Sequence, residues 1–307
     1  MTHSNNIASE KPLVSVIVNC FNGEKYLREA LDSVITQTYK NWEIIFWDNQ
    51  STDKSAEIFK SYKDSRLKYY YASSHADILY EARNYALKKA NGVFIAFLDV
   101  DDWWLPNKLE KQIPLFNDPD VGLVYGNLWR LFEKKNKKEI YRKKILPTGM
   151  ILDELLHDYV IGSPTYVIRK KSLESLDYHF NKRFHIIGDF DLNIRLAVKW
   201  KIDCVQDPVA TLRIHGQNVS LLNKNKEIDE LKIWYEEMKI NTIFSSKSEL
   251  NQISLKILYL EIMQAISVDG FKKNFIKVVK YPFCFKKIKL IIALLLPKFV
   301  IKKIKNY

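Results

Sequence analysis

Cysteine is scarce. The chain of 307 residues holds three, Cys20, Cys204 and Cys284, far apart and with no CxxC pair, so neither a disulfide framework nor a zinc knuckle is suggested, and a reducing cytoplasm fits. Glycine is scarce as well, at nine. A glycine-rich phosphate loop is missing near the N-terminus, where only Asn22-Gly23 appears. The opening MTHSNNIASEK lacks a signal peptide's apolar core, so residues 1–11 read as a flexible lead-in and export is not expected. The apolar run Leu290 to Leu296 stops at Pro297 between lysines, well short of the roughly 20 residues a bilayer span requires.

Acid is absent from Phe271 to Tyr307, where eleven lysines supply nearly all of the chain's formal net charge of +12. Phe, Ile, Leu and Val lie between those lysines, so the segment suits the headgroup plane of an anionic membrane, where each lysine gains about 1 kcal/mol. The expected location is peripheral, on the cytoplasmic inner face of the cell membrane. The alternative is a terminal helix packed on the body with solvated lysines. The patch has no recognised nucleic-acid motif, so no nucleic-acid partner is expected.

What is present is order. With 47% hydrophobic and 27% charged residues, the chain has the composition of a folded domain. LVSVIVNC is apolar and β-branched, Asn22-Gly23 marks a turn, and EKYLREALDSVITQ has helical spacing. The unit recurs in WEIIFWD with NQSTDKSAEIFKSY, in RLKYYYA with LYEARNYALKKA, and in GVFIAFLD with the loop after it. Strands alternating with helices predict an α/β fold with a mostly parallel sheet. Ligands of such sheets bind at the strands' carboxyl ends. There the sequence puts Asn19, Asn22, Asp48, Asp99 and Asp101.

FLDVDDWW, Phe97 to Trp104, gathers three carboxylates in a basic chain. Asp99 and Asp101, one residue apart in a loop, suit a hard cation such as Mg²⁺ or Mn²⁺, which in turn holds a diphosphate. The structural alternative is helix capping by Asp102, with Pro106 near a first helical turn. Of Trp103 and Trp104, one is expected to seal the core, and a sugar platform is the other use.

With these residues in place, VSVIVNCFNGEKYLREALDSVITQTYKNWEIIFWDNQSTDKS and EARNYALKKANGVFIAFLDVDDWWLPNKL resemble the family 2 glycosyltransferases of bacterial cell-surface polysaccharide synthesis, over about residues 12 to 220. The resemblance implies a GT-A fold and sugar transfer from a nucleotide-diphosphate donor, with inversion. It implies that Asp48 contacts the nucleotide base, that the backbone around Phe21 walls it in, and that Arg83 is directed toward nucleotide or diphosphate. Asp99 would face the ribose and Asp101 the metal, Mn²⁺ or Mg²⁺. In HIIGDFDLNIRLAVKW, Asp189 matches the catalytic base and Arg195 the helix arginine, while Gly188 stands where the family has an acid. A helix N-terminus favours an ionised Asp189, and Asp191 competes for the role. ATLRIHGQNVS matches an arginine-x-histidine element, which makes His215 a metal ligand or a diphosphate contact.

RLFEKKNKKEIYRKK predicts a hairpin with its tip at Lys134 to Lys138, and LPTGMILDELLHDYVIGSPTYVIRKKSLESL predicts helix, strand and helix shaping an acceptor pocket. After Ser220 the pattern is helical. The expected division is residues 1–11, a catalytic domain over 12–222, and a Lys-rich, membrane-proximal helical extension over 223–307. The expected partners are a nucleotide-diphosphate sugar, a UDP-sugar first among them, a glycan or lipid-linked acceptor, and an anionic membrane. Two other classes stay open: a sugar nucleotidyltransferase, and a basic nucleic-acid-binding protein.

Overall fold

A computed structural model describes residues 11–269 and 271–296. Most of the expected lead-in and the last lysines of the tail, 298, 302, 303 and 305, lie outside these residues. The first third alternates as its periodicity requires: β1 (Val14–Cys20), α1 (Leu27–Ile35), β2 (Trp42–Asp48), α2 (Ser55–Ser61), β3 (Leu67–Tyr71), α3 (Leu79–Leu87) and β4 (Phe94–Phe97). These four strands run parallel in the order β3-β2-β1-β4. All seven residues of β1 are buried. A strand covered on both faces explains why VSVIVNC shows a nearly unbroken apolar run and no alternation. Ile17, Ile45 and Phe97 face the layer that contains α3, while Val16, Val18, Ile44 and Phe46 face the opposite one.

The sheet continues through strands of mixed direction. After β5 (Trp103–Trp104) and α4 (Lys108–Gln112) come β6 (Val121–Phe132), β7 (Lys137–Ile140), α5 (Leu152–His157), β8 (Val167–Arg169), α6 (Lys170–Glu174), α7 (Gly188–Lys199) and β9 (Lys201–Ile214). The full order is β3-β2-β1-β4-β8-β6-β9-β5, with β7 added on β6. β8 lies antiparallel between β4 and β6, and β9 runs parallel to β6. The expected hairpin is formed by β6 and β7, with Asn136 in the left-handed region at φ 46°. The helix, strand and helix expected next are α5, β8 and α6.

Helical structure follows: α8 (Val219–Leu222), α9 (Lys224–Ile240), α10 (Leu250–Asp269), α11 (Phe271–Lys280) and α12 (Phe285–Leu295). Ile228, Leu231 and Trp234 of α9 and Ile253 and Ile257 of α10 join the main core. Packing therefore continues across residue 222. The far end of α10 instead gives Ile262 and Ile266 to a separate cluster with Val278, Tyr281, Leu290 and Leu294. Beyond that small cluster, α11, α12 and their connection leave Phe275, Ile276, Phe283, Phe285, Ile292 and Leu295 exposed. Among the described residues, no helix is long and apolar enough to cross a membrane.

Candidate active site

The acidic loop leaves β4 at the carboxyl edge of the parallel strands, and its three aspartates part company at once. Asp102 turns inward: it is buried and accepts the backbone N–H of Arg213 at 2.8 Å. Burial, with Asp101 and Asp99 nearby, pushes its carboxyl well above the usual range. It does not cap a helix, which corrects the alternative drawn from the sequence. DDWW enters β5, where Trp103 and Trp104 pair with Thr211 and Ala210 of β9. Trp104 is buried in the core, and Trp103 lies against the Arg213 guanidinium, 4.7 Å from its ring centre. Arg213 also donates from Nε to the Asp101 carbonyl at 3.1 Å and pairs with Glu29. It thus ties the loop to β9 and to α1.

Asp99 and Asp101 remain partly open, with side chains 30% and 24% exposed. Asp101 Oδ2 lies 2.9 Å from His215 Nε2, so the structure brings together two residues 114 positions apart. Neighbouring ligands on an octahedral cation with bonds of about 2.1 Å are separated by a similar distance. Gln217 N–H points at His215 Nδ1 at 3.2 Å, which makes Nδ1 the acceptor and places the ring proton on Nε2. Ligation through Nε2 would break that contact, so Asp101 is the firmer ligand of the two. Among the described residues, no group of three His, Cys, Asp or Glu side chains is placed to hold a metal. Asp101 and His215 fit a hard cation only as a partial shell, the arrangement of an ion shared with substrate phosphates.

Arg83 is 2% exposed and donates from Nη2 to Asp99 Oδ1 at 2.6 Å. Burial opposes its charge, and Asp99 together with Tyr166, Tyr80 and Asp189 outweighs burial, so the guanidinium is held charged. The resemblance directs Arg83 toward nucleotide or diphosphate; here its guanidinium pairs with Asp99. Ser163 donates to the other Asp99 oxygen at 3.3 Å.

Asp48 turns inward as well. It is fully buried, Oδ1 accepting from Ser51 N–H at 2.7 Å and Oδ2 from the Tyr69 hydroxyl at 2.6 Å. Its carboxylate is spent on the turn after β2 and on β3, where the resemblance directs it toward a base. What stands open beside it is Phe21, 52% exposed and edge-on to His75 with ring centres 4.6 Å apart. The Asn22 amide oxygen accepts from the Thr52 N–H, and Asn19 is buried with both amide atoms unpartnered among the described residues.

The first turn of α7 separates its two aspartates. Asp191 is buried, with Oδ2 bound by Arg195 at 2.8 and 2.9 Å and Oδ1 by Trp234 Nε1 at 3.1 Å. Asp189 accepts from Tyr80 at 3.1 Å and from Phe190 N–H at 2.9 Å, both on Oδ1. No hydrogen bond from the described residues reaches Oδ2. Burial raises the carboxyl of Asp189 above its ordinary value, while Arg83 and Tyr80 pull it down. The helix terminus alone favoured a readily ionised group, and burial wins. Gly188 has a steric cause: a Cβ there would meet the Tyr80 ring at 2.4 Å.

These residues sit within a recognised family. The chain matches the family described as Glycosyl transferase family 2 over residues 15–177. It is a family 2 glycosyltransferase. A glycosyltransferase of Haemophilus influenzae is 39% identical over 238 residues, covering 76% of this chain and 92% of its own length. The UDP-Glc:alpha-D-GlcNAc-diphosphoundecaprenol beta-1,3-glucosyltransferase of Escherichia coli is 36% identical over 168 residues, 55% of this chain, and the match spans 64% of that relative's length.

Solved structures show the GT-A fold of this glycosyltransferase. TarS 1–349 of S. aureus, in complex with UDP-GlcNAc, gives a TM-score of 0.65 at 18% identity and covers 92% of this chain and 81% of its own. A mannosyltransferase of Pyrobaculum calidifontis, in complex with GDP-Man and Mn²⁺, gives 0.63 at 16% identity, covering 97% and 88%.

Sequence reading did not single out Tyr80 or Asn218. Tyr80 stands three positions before Arg83 on α3, a spacing that puts both on one helix face. Asn218 stands three positions after His215, and its side chain is bound to Asp101 at 3.2 Å.

Proposed function

We propose that this glycosyltransferase moves a sugar from a nucleotide-diphosphate donor to a hydroxyl of a surface glycan or lipid-linked acceptor, inverting the anomeric carbon. The observation that carries the reading is the state of Asp189: a carboxylate with one oxygen that no described residue hydrogen-bonds and a raised pKa, in electrostatic reach of Arg83 and Asp99. Asp189 Oδ2 takes the proton of the acceptor hydroxyl, whose oxygen attacks the anomeric carbon as the bond to the diphosphate breaks. A pKa raised toward the working pH strengthens such a base while leaving it ionised often enough to act. Mn²⁺ or Mg²⁺ would be held by Asp101 with His215 beside it, and would supply positive charge against the diphosphate. Asp99, fixed by Arg83, faces the ribose, and Phe21 with His75 forms an aromatic wall for the base. A UDP-sugar is the favoured donor, supported by the UDP-Glc named for the E. coli relative.

The extension carries the chain's contact with an anionic membrane, on the inner face of the cell membrane. Support comes from Phe283, Phe285 and Ile292, exposed among lysines without any acidic neighbour on α11 or α12.

The decisive assay incubates the protein with UDP-, GDP- and dTDP-sugars and candidate acceptors, with and without Mn²⁺, and follows release of nucleoside diphosphate. Release is expected with Mn²⁺ and is lost in Asp101→Ala and Asp189→Ala. Pyrophosphate released in a parallel incubation with nucleoside triphosphates and sugar 1-phosphates, with no nucleoside diphosphate released from the sugar donors, would establish nucleotidyl transfer and overturn the proposal.

A further inference from the structure

Asn218 immediately precedes α8, a position where an asparagine side chain ordinarily accepts a hydrogen bond from the first turn of the helix. Here it makes no such cap. The amide is turned backward instead. Nδ2 donates to Asp101 Oδ2 at 3.2 Å and to the Arg213 carbonyl at 2.9 Å, and Oδ1 accepts the backbone N–H of His215 at 2.6 Å. Two of those three bonds anchor the amide to the turn that carries His215, and the third reaches across to the acidic loop.

We propose that Asn218 is a positioning residue of the cation site, holding the Asp101 carboxylate in register with His215; this rests on the metal-dependent reading given above. Among the described residues, only His215 and Asn218 hydrogen-bond to the carboxylate of Asp101. A cation that bound between Asp101 and His215 would replace their direct contact. The Asn218 bond is compatible with occupancy, since an oxygen that ligates a metal can still accept a hydrogen bond, and such supporting bonds orient the ligand. Arg213 cannot substitute: its Nε holds the Asp101 carbonyl, which fixes the loop's backbone and leaves the side chain free to rotate.

The test is calorimetric titration of the full chain with Mn²⁺ in the presence of whichever of UDP, GDP and dTDP it binds. Asn218→Ser places a good helix-capping residue before α8 and is too short to reach Asp101, so the fold should be preserved. It is expected to weaken Mn²⁺ by roughly 10–100-fold, the usual effect of losing a residue that supports a metal ligand, with nucleotide affinity in EDTA unchanged. Asn218→Ala gives the same loss. Asn223→Ala, which removes only a bond to the Val219 carbonyl on the same short helix, leaves Mn²⁺ affinity unchanged. Mn²⁺ binding by Asn218→Ser within about 2-fold of the parent overturns this inference alone. A parent chain whose nucleotide binding shows no Mn²⁺ dependence overturns the metal reading and this inference together.

Discussion

The hydroxyl of Tyr80 donates to Oδ1 of Asp189 at 3.1 Å, joining α3 to the first turn of α7. That bond stabilises the charged carboxylate against burial, which pushes the other way and prevails. Activity needs Asp189 ionised, so kcat/KM should fall on the acid side at a higher pH than an ordinary aspartate, with its pKa of about 3.9, would impose. Tyr80→Phe removes a donor to the ionised form. The pKa of Asp189 then rises further and the acid limb moves to higher pH, as a pH profile of kcat/KM would read. A limb that stays in place in Tyr80→Phe excludes Asp189 as its source.

Asp189→Asn should retain donor binding and lose transfer by about 10²–10⁴-fold or more, the span usual for removing a positioned base. The same change should raise thermal stability at neutral pH. A buried acid with a raised folded pKa binds its proton more tightly when folded, so its contribution falls as pH rises through the interval between the unfolded and folded values. The neutral amide removes that cost. Near-normal turnover in Asp189→Asn would exclude it as base; Asp191 is a poor replacement, with both oxygens held by Arg195 and Trp234.

Arg83 and Asp99 form an ion pair with unequal burial, 2% against 30% exposed. Removing either partner strands the other, and the stranded charge costs more where water is absent. Asp99→Ala, which leaves Arg83 charged in the core, should destabilise by about 3–5 kcal/mol. Arg83→Met should cost clearly less, because Asp99 can rehydrate. Urea unfolding of both variants reads the order, and the reverse order would mean that the Arg83 cavity is wetter than its exposure indicates.

The parallel core was legible in the sequence because its signals are local. Strand periods, helix periods and the turn at Asn22-Gly23 each lie within a few residues. The meeting of Asp101 with His215 was reached through the family resemblance, since nothing within either segment encodes a contact across 114 positions. Side-chain direction was not legible. Asp48 and Asp102 lie at the expected edge, yet each spends its carboxylate on neighbouring N–H or O–H groups. Short polar side chains bind nearby backbone whenever the turn permits it, and the turn is not visible in residue order. Helix capping by Asp102, the alternative that Pro106 suggests, gives way to pairing with β9, far along the chain, which makes Trp103-Trp104 a strand.

Lys108 offers a test away from the site. It is fully buried, donates to Gln112 and lies 4.3 Å from the centre of the Trp104 ring. Burial lowers its pKa well below the ordinary lysine value. The unfolded chain therefore binds a proton that the folded chain resists, so stability rises with pH through the window below about 10.4. Lys108→Met should flatten that part of the stability profile. Unfolding midpoints of the variant and its parent, taken in parallel from pH 6 to 10, give the comparison, and equal slopes would show that Lys108 stays charged.

The helical extension makes the last prediction quantitative. Lys277, Lys280, Lys286 and Lys289 are exposed, as are Phe283 and Phe285 in the connection and the start of α12. Reversing these four lysines to glutamate touches no part of the buried cluster formed by Ile262, Val278, Tyr281 and Leu290, so the fold should survive. At about 1 kcal/mol for each lysine near an anionic leaflet, losing the four attractions alone weakens membrane binding by about 10³-fold, and the added repulsion deepens the loss. Flotation with vesicles containing phosphatidylserine should show the parent bound at low salt, released as salt rises, and the reversed variant unbound. Phe283→Ser with Phe285→Ser should also reduce binding while leaving its salt dependence intact, because apolar insertion is not screened. Equal binding of the parent to neutral and anionic vesicles would remove the lysines from the account.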